Sequence, residues 1–130
     1  MTEAAQRGLS KIGQVAMPVH DIERATGFYR DTLGLPFLFS APPGLAFFDC
    51  AGVRLMLDRS AGESASRPGS ILYFQVDDIQ AMHQELVNRG VAFRQPPHRI
   101  AKLPDREVWM AFFDDPEGNI LALMSEPRRA

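Results

Sequence analysis

The sequence predicts an α+β fold in which two βαβββ modules form a curved mixed sheet, with the helices on its outer face and a cleft inside. Two observations support this prediction. The segment at residues 13–22, a strand running into a helix cap, recurs at residues 70–79. The segment at residues 49–57, a turn followed by a strand, has a counterpart at residues 115–123. Repetition of both segments in the same order indicates a duplicated module.

The first module, residues 11–58, begins with a strand predicted at residues 12–19. The apolar residues that follow recur at close to helical spacing, which predicts a helix over residues 21–33 that ends at Gly34. Three more strands are separated by turn sequences that contain Gly, and the first of these turns also contains Pro. These strands are predicted at residues 36–40, 45–49 and 53–58.

Residues 59–69 are rich in Ser, Ala and Gly and predict a linker between the modules. The second module, residues 70–124, then repeats the order of the first. Asp77 and Gln80 form a predicted capping box for a helix that ends before Gly90. Its strands are predicted at residues 71–76, 91–94, 108–114 and 119–124, and a long loop is predicted at residues 95–107. The whole chain, residues 1–130, is predicted to be a single domain.

Side chains alternate between the two faces of a strand, so the sequence also predicts which residues line the cleft. Leucines at 55, 57, 121 and 123 are the expected core positions under the helices. The residues that alternate with these leucines then face the cleft. The same face carries the residues expected opposite them across each hairpin, and alternate residues of the first strand of each module. The resulting ligand-binding set is Gln14, Phe47, Asp49, Arg54, Met56, Tyr73, Trp109, Phe113 and Ala122.

Three motifs resemble the vicinal oxygen chelate superfamily. They are Val-His-Asp-Ile-Glu-Arg-Ala at residues 19–25, Phe-Tyr-Arg-Asp-Thr-Leu-Gly-Leu at residues 28–35 and Phe-Asp-Asp-Pro-Glu-Gly-Asn at residues 113–119. That superfamily includes glyoxalase I, extradiol dioxygenases, fosfomycin-resistance enzymes and bleomycin-resistance proteins. The resemblance extends from residue 11 to residue 124 and implies the paired-module fold.

The resemblance also implies four equivalent positions for the ligands of one divalent metal ion, in the first and last strand of each module. Gln14 suits the first of them. The other three hold Met56, Ile71 and Ala122, where such enzymes commonly have Glu, His and Glu. Divalent ions of this kind take carboxylate, imidazole or carbonyl ligands. We therefore expect no metal and no other cofactor.

Several of these residues have an alternative structural interpretation. Arg54 and Asp49 lie opposite each other beside a hairpin, which predicts a cross-strand ion pair. The aromatic residues of the ligand-binding set either fill the core or stack on a planar ligand. His98 lies in the predicted loop 95–107, which is long enough to fold over the cleft, and is the candidate for a catalytic residue.

Composition excludes some partners. With 130 residues, one cysteine and a formal net charge of −2, the chain gives no reason to expect nucleic acid, a membrane or an internal disulfide. The N-terminus lacks the apolar run of a signal peptide, so a cytoplasmic protein is expected.

These observations predict a metal-independent small-molecule-binding protein, similar to bleomycin-resistance proteins, that holds an apolar or planar ligand in an aromatic cleft. As in those proteins, a homodimer is expected. One alternative is a glyoxalase-type lyase or isomerase, or a dioxygenase, with a displaced divalent-metal site. Another is a scaffold or regulatory dimer whose cleft is filled. The sequence leaves open the ligand, whether the modules pair within one chain or between chains, and whether loop 95–107 is a lid.

Overall fold

The computed structural model describes residues 8–9, 11–59 and 70–129. The first module consists of β1 (Gln14–Pro18), α1 (Ile22–Gly27) with a π-helical turn (Phe28–Thr32), β2 (Phe37–Ala41), β3 (Leu45–Cys50) and β4 (Val53–Asp58). The second consists of β5 (Leu72–Gln75), α2 (Ile79–Asn88), β6 (His98–Lys102), β7 (Glu107–Asp114) and β8 (Ile120–Ser125). The α+β fold with two βαβββ modules is confirmed.

Each module forms its own four-stranded mixed sheet. The strand order is β1-β4-β3-β2 in the first sheet and β5-β8-β7-β6 in the second. In both sheets the first strand runs parallel to the last, and the remaining pairs are antiparallel. The two sheets are therefore built alike, as the repeat in the sequence predicts.

One hydrophobic core joins the two modules. Leu55 and Leu57 from the first sheet and Leu121 and Leu123 from the second are at most 3% exposed and belong to the same buried cluster. Their predicted core positions are confirmed. We call the sheet face that carries these leucines the covered face, and the opposite face the open face.

Asp115, which is 4% exposed, lies at the centre of a buried hydrogen-bond network that connects the two modules. One carboxylate oxygen accepts backbone N–H groups from Glu117 and Asn119, both at 2.8 Å, which closes the β7–β8 turn. The other accepts the hydroxyl of Tyr29 at 2.7 Å, from the π-helical turn of the first module. Burial, followed by the charge of Asp115, raises the pKa of Tyr29, so its hydroxyl stays protonated and donates.

Glu117 also connects the second module to the first. Its side chain is 1% exposed and its carboxylate accepts two N–H groups of Arg24, the closer at 2.6 Å. It also accepts the backbone N–H groups of His20 and Asp21 at the start of α1. Burial raises the pKa of Glu117, but these donors outweigh burial and hold the pKa below its ordinary value. A residue of the second module thus anchors the first helix of the first.

The start of α2 differs from the prediction. The N-cap is Asp78, whose carboxylate accepts the backbone N–H of Ala81 at 3.0 Å, so the capping box of Asp77 and Gln80 is wrong. Asp78 has the extended backbone that an N-cap needs, with φ −126° and ψ 95°. Two adjacent aspartates made the boundary ambiguous by one residue in sequence.

The third strand of the second module also differs. The predicted strand 91–94 is reduced to a single bridge between Phe93 and Phe113, and β6 forms inside the predicted loop 95–107. Pro96 and Pro97 lack a backbone N–H and separate the two stretches. β6 then pairs with the outer edge of β7, so part of the predicted loop is an edge strand.

The predicted linker 59–69 lies outside the described residues, apart from Arg59. None of the helices in the described ranges is long and apolar enough to cross a membrane.

Candidate ligand-binding site

The open face of the first sheet carries five residues of the predicted set. One row across the sheet contains Gln14, Arg54 and Asp49, and the next contains Met56 and Phe47. The face predicted for β1, β3 and β4 is therefore confirmed. The side chain of Gln14 contacts the sulfur of Met56 at 3.8 Å.

A pair of stacked rings covers the middle of this face. Phe39 on β2 lies over Phe47 with ring centroids 4.4 Å apart and planes inclined by 23°. Phe47 is 8% exposed, whereas Phe39 is 44% exposed. Phe39 was missed by the sequence analysis, although its position opposite Phe47 in the β2–β3 hairpin is a usable signal.

Arg54 and Asp49 are neighbours in the sheet register but do not form the predicted ion pair. One oxygen of Asp49 instead accepts the backbone N–H of Gly52 at 3.0 Å, which closes the tight turn between β3 and β4. The guanidinium of Arg54 lies over the ring of Phe47, 5.6 Å from its centroid. Within the described ranges, Arg54 has no carboxylate partner.

The second sheet corrects the predicted face of β7. Trp109 and Phe113 lie on the covered face, where Phe113 is 0% exposed and pairs with Leu121. The reason is loop length: Cys50 pairs with Val53 across two residues in the first module, whereas Asp114 pairs with Ile120 across a longer turn. When the number of residues in a loop changes from even to odd, every side chain of the following strand moves to the other face relative to its partner.

The aromatic residue on the open face is Phe112 instead. It pairs with Ala122, which pairs in turn with Tyr73 on β5. The rings of Tyr73 and Phe112 meet edge to face at 5.8 Å, and Tyr73 is 44% exposed. Tyr73 and Ala122 therefore lie on the predicted face. Counting the residues of the β7–β8 turn is the signal that identifies Phe112.

His98, the predicted catalytic candidate, lies on β6 opposite Met110, at the far side of the same open face. Its ring nitrogens lie 3.3 Å from the carbonyl of Pro96 and 3.5 Å from the side-chain nitrogen of Gln95. No carboxylate contacts the ring in the part of the chain that the structure describes. Among the described residues, His98 therefore has no carboxylate with which to form an acid–base pair.

The four family positions for metal ligands do not fit a divalent cation. They hold the amide of Gln14, the thioether of Met56, the alkyl chain of Ile71 and the methyl group of Ala122. Across residues 8–9, 11–59 and 70–129, no group of three or more His, Cys, Asp or Glu side chains is arranged to hold a metal ion. The donor chemistry of a divalent-metal site is therefore missing from these positions.

A groove of about 680 Å³ lies between the two modules, and we call it the inter-module groove. It contains Asp49, Arg54 and Tyr73 of the predicted set; Phe47, Met56 and Ala122 lie outside it. Its lining residues are Val15, Leu35, Pro36, Asp49, Cys50, Ala51, Val53, Arg54, Leu55, Leu72, Tyr73, Phe74 and Gln75. Burial, followed by the charge of Asp49, raises the pKa of the Cys50 thiol, so it lines the groove as a neutral group.

Binding chemistry is what this arrangement supports best. The groove has mostly apolar walls, and its volume lies in the range of sites for small organic ligands. Its charged and hydrogen-bonding side chains are those of Asp49, Arg54, Tyr73 and Gln75, which occupy open-face positions of their strands. In such a site, apolar and aromatic walls fit the body of a ligand and a small number of polar contacts orient it.

Comparisons with known proteins agree with the fold. The chain is 26% identical to the uncharacterized protein YraH of Bacillus subtilis strain 168, over 87% of this chain and 96% of that protein. TnmS3, an antibiotic binding protein from Streptomyces sp. CB03234, is 29% identical, with a TM-score of 0.73 over 93% of this chain and 99% of that chain. Lactoylglutathione lyase from Agrobacterium tumefaciens is 21% identical, with a TM-score of 0.72 over 92% and 96%, and shows the fold alone.

The motifs quoted above and the fold point to one family, and its model matches residues 11–123. This match covers most of both modules and includes the turn built around Asp115. The chain belongs to the Glyoxalase/Bleomycin resistance protein/Dioxygenase superfamily.

Proposed function

We propose that this protein binds a small apolar or planar molecule without a divalent metal ion and acts by holding it. The observation that carries the proposal is the content of the four family metal positions, where three side chains have no suitable donor atom. The likeness to TnmS3, which is an antibiotic binding protein, supports a binding role.

The proposed site combines the inter-module groove with the open faces beside it. Its ligand contacts are proposed to be Tyr73, Arg54 and Asp49 at the groove and Phe47 on the adjoining face. A second copy of the chain is proposed to cover the open faces, as expected for this type of protein. Covering them would remove water from around the ligand and strengthen each polar contact.

Two measurements on one preparation test the proposal. Protein purified without chelator is offered Mn²⁺, Fe²⁺, Ni²⁺ and Zn²⁺, and its metal content is measured by elemental mass spectrometry. Binding of the neutral aromatic dye N-phenyl-1-naphthylamine is then followed by fluorescence, with and without EDTA. We expect binding of the dye at the same affinity in both conditions and metal far below one equivalent. One equivalent of bound metal, or loss of dye binding in EDTA, would favour the glyoxalase- or dioxygenase-like enzyme.

Two variants locate the dye. Tyr73→Ala removes an exposed aromatic ring from the groove, and we expect it to weaken dye binding about tenfold, because a stacked ring contributes on the order of 1 kcal/mol. Val87→Ala removes a side chain of similar exposure, 41%, from α2 and serves as the control. Equal affinities for both variants would place the dye outside the groove.

A further inference from the structure

We propose that the inter-module groove selects planar aromatic ligands that carry a negative charge, with Arg54 as the counter-ion. This inference rests on the proposed binding function and adds the chemical class of the ligand. The observation that carries it is an arginine held at the groove with no carboxylate partner in the described part of the chain.

In the second module, an arginine in the segment before β6 is paired with a carboxylate at the end of a strand. Asp114 occupies the last position of β7, as Asp49 occupies a late position of β3, and Arg94 binds Asp114 at 2.9 Å. In the first sheet, Asp49 is the direct register partner of Arg54, yet one of its oxygens is committed to the Gly52 N–H. One oxygen of Asp49 is thus used by the turn, and no ion pair between Asp49 and Arg54 forms.

Phe47 holds Arg54 in a position suited to an incoming ligand. A guanidinium over a ring keeps its N–H groups at its edge, where they remain available to an acceptor. A carboxylate, sulfonate or phenolate oxygen at that edge would form a charge-assisted hydrogen bond. The apolar wall of Leu35, Val53 and Phe74 would then contact the uncharged body of the ligand.

Two of the remaining polar side chains of the groove can donate hydrogen bonds to an anion. The hydroxyl of Tyr73 and the amide of Gln75 line the groove and have no protein partner in the described ranges, so both are available as donors. Among the described residues that line the groove, Asp49 is the one carboxylic acid, and one of its oxygens already accepts the Gly52 N–H. An anion would meet Arg54 and these donors from both modules, while the charge of Asp49 opposes it.

The test uses two dyes that share one ring system. 8-Anilinonaphthalene-1-sulfonate is N-phenyl-1-naphthylamine with an added sulfonate, so the pair isolates the charge. Both are titrated by fluorescence into the wild-type protein, Arg54→Met and Arg30→Met. Arg30 is bound to the adjacent Asp31 and lies outside the groove, so its replacement controls for the loss of one positive charge. Near-ultraviolet circular dichroism checks that each variant keeps its packing.

We expect Arg54→Met to weaken binding of the sulfonate about tenfold and binding of the neutral dye less than twofold. Arg30→Met should leave both affinities unchanged. Asp49→Asn, which removes the opposing charge, should strengthen binding of the sulfonate.

Other outcomes distinguish failure of the anionic-ligand inference from failure of the proposed binding function. Equal effects of Arg54→Met on both dyes, or weaker binding of the sulfonate to Asp49→Asn, would overturn the choice of an anionic ligand and leave the binding function standing. Failure of both dyes to bind the wild-type protein would overturn the binding function and the inference with it.

Discussion

Asp115 shows how single residues hold this molecule together. It accepts four hydrogen bonds, from the Tyr29 hydroxyl, two backbone N–H groups and the side chain of Asn119. A buried carboxylate is tolerated only when its oxygens are satisfied in this way. The same turn presents Glu117 to α1, so one short segment closes a hairpin and joins the modules.

Tyr29→Phe tests the contribution of the hydroxyl. The variant keeps the ring but leaves Asp115 with one donor fewer, and we expect it to lower the free energy of unfolding by about 1–3 kcal/mol. Urea denaturation measures the change. Tyr73→Phe is the matched control, because that hydroxyl is exposed and has no partner within the described ranges, and we expect a change within about 0.5 kcal/mol. Equal losses for the two variants would contradict this account.

Glu117 predicts a pH dependence of stability. Its pKa in the folded protein lies below its ordinary value, so the unfolded chain binds the proton more readily. Its contribution is therefore present above about pH 4.3, the ordinary value for glutamate, and is lost as the pH falls through the folded-state pKa. Urea denaturation at a series of pH values should find Glu117→Gln less stable than wild type at pH 7. The two curves should approach each other as the pH falls through the folded-state pKa of Glu117, and a difference that does not shrink at low pH would contradict the assignment.

At the scale of elements, caps and loop lengths decide details that hydrophobic patterns leave open. The pattern predicted both helices, but the position of the N-cap of α2 depended on which of two aspartates has extended backbone. The face of β7 depended on the length of one turn. The second error placed Trp109 and Phe113 on the open face, whereas Phe113 lies in the core and Trp109 is partly buried against it.

Asp78→Ala tests the cap of α2. The variant removes the oxygen that accepts the Ala81 N–H, and we expect a loss of about 1 kcal/mol in the free energy of unfolding. Thermal denaturation followed by circular dichroism measures it. Asp77→Ala changes the neighbouring aspartate, which does not cap the helix, and should cost less than about 0.5 kcal/mol. A larger loss for Asp77→Ala would restore the capping box predicted from sequence.

At the scale of the molecule, the core is shared while the open faces are left uncovered in a single chain. Phe39 on the first open face and Tyr73 on the second are both 44% exposed. Large apolar side chains gathered on strands in this way are typical of a surface that another chain covers. This is the physical reason for the dimer in the proposed function.

The dimer makes a direct prediction of mass. At micromolar concentration, light scattering after gel filtration should give about twice the chain mass of 14.5 kDa. Phe39→Glu introduces a charge on the open face and should shift the protein toward the monomer. Val87→Glu introduces the same charge at a similarly exposed position on α2 and should leave the mass unchanged. A monomeric mass for the wild-type protein would contradict the dimer.

Much of the first sheet's open face follows from sequence. A tight turn of two residues sets the register of β3 and β4, so Phe47, Arg54 and Met56 could be assigned to one face without coordinates. The second sheet was less predictable, because β6 forms only where β7 offers an unpaired edge. Such pairing depends on contacts between distant segments, which local propensity does not encode.

The sequence by itself determined the duplicated modules and the buried leucines, since these depend on residue identity and on short-range periodicity. The tertiary structure decided which charges are paired. Asp49 and Arg54 are opposite in register, yet the Gly52 N–H takes an oxygen of Asp49 and Phe47 takes the guanidinium. Which neighbouring donor binds a given carboxylate depends on distances in the folded chain, and the order of residues does not fix those distances.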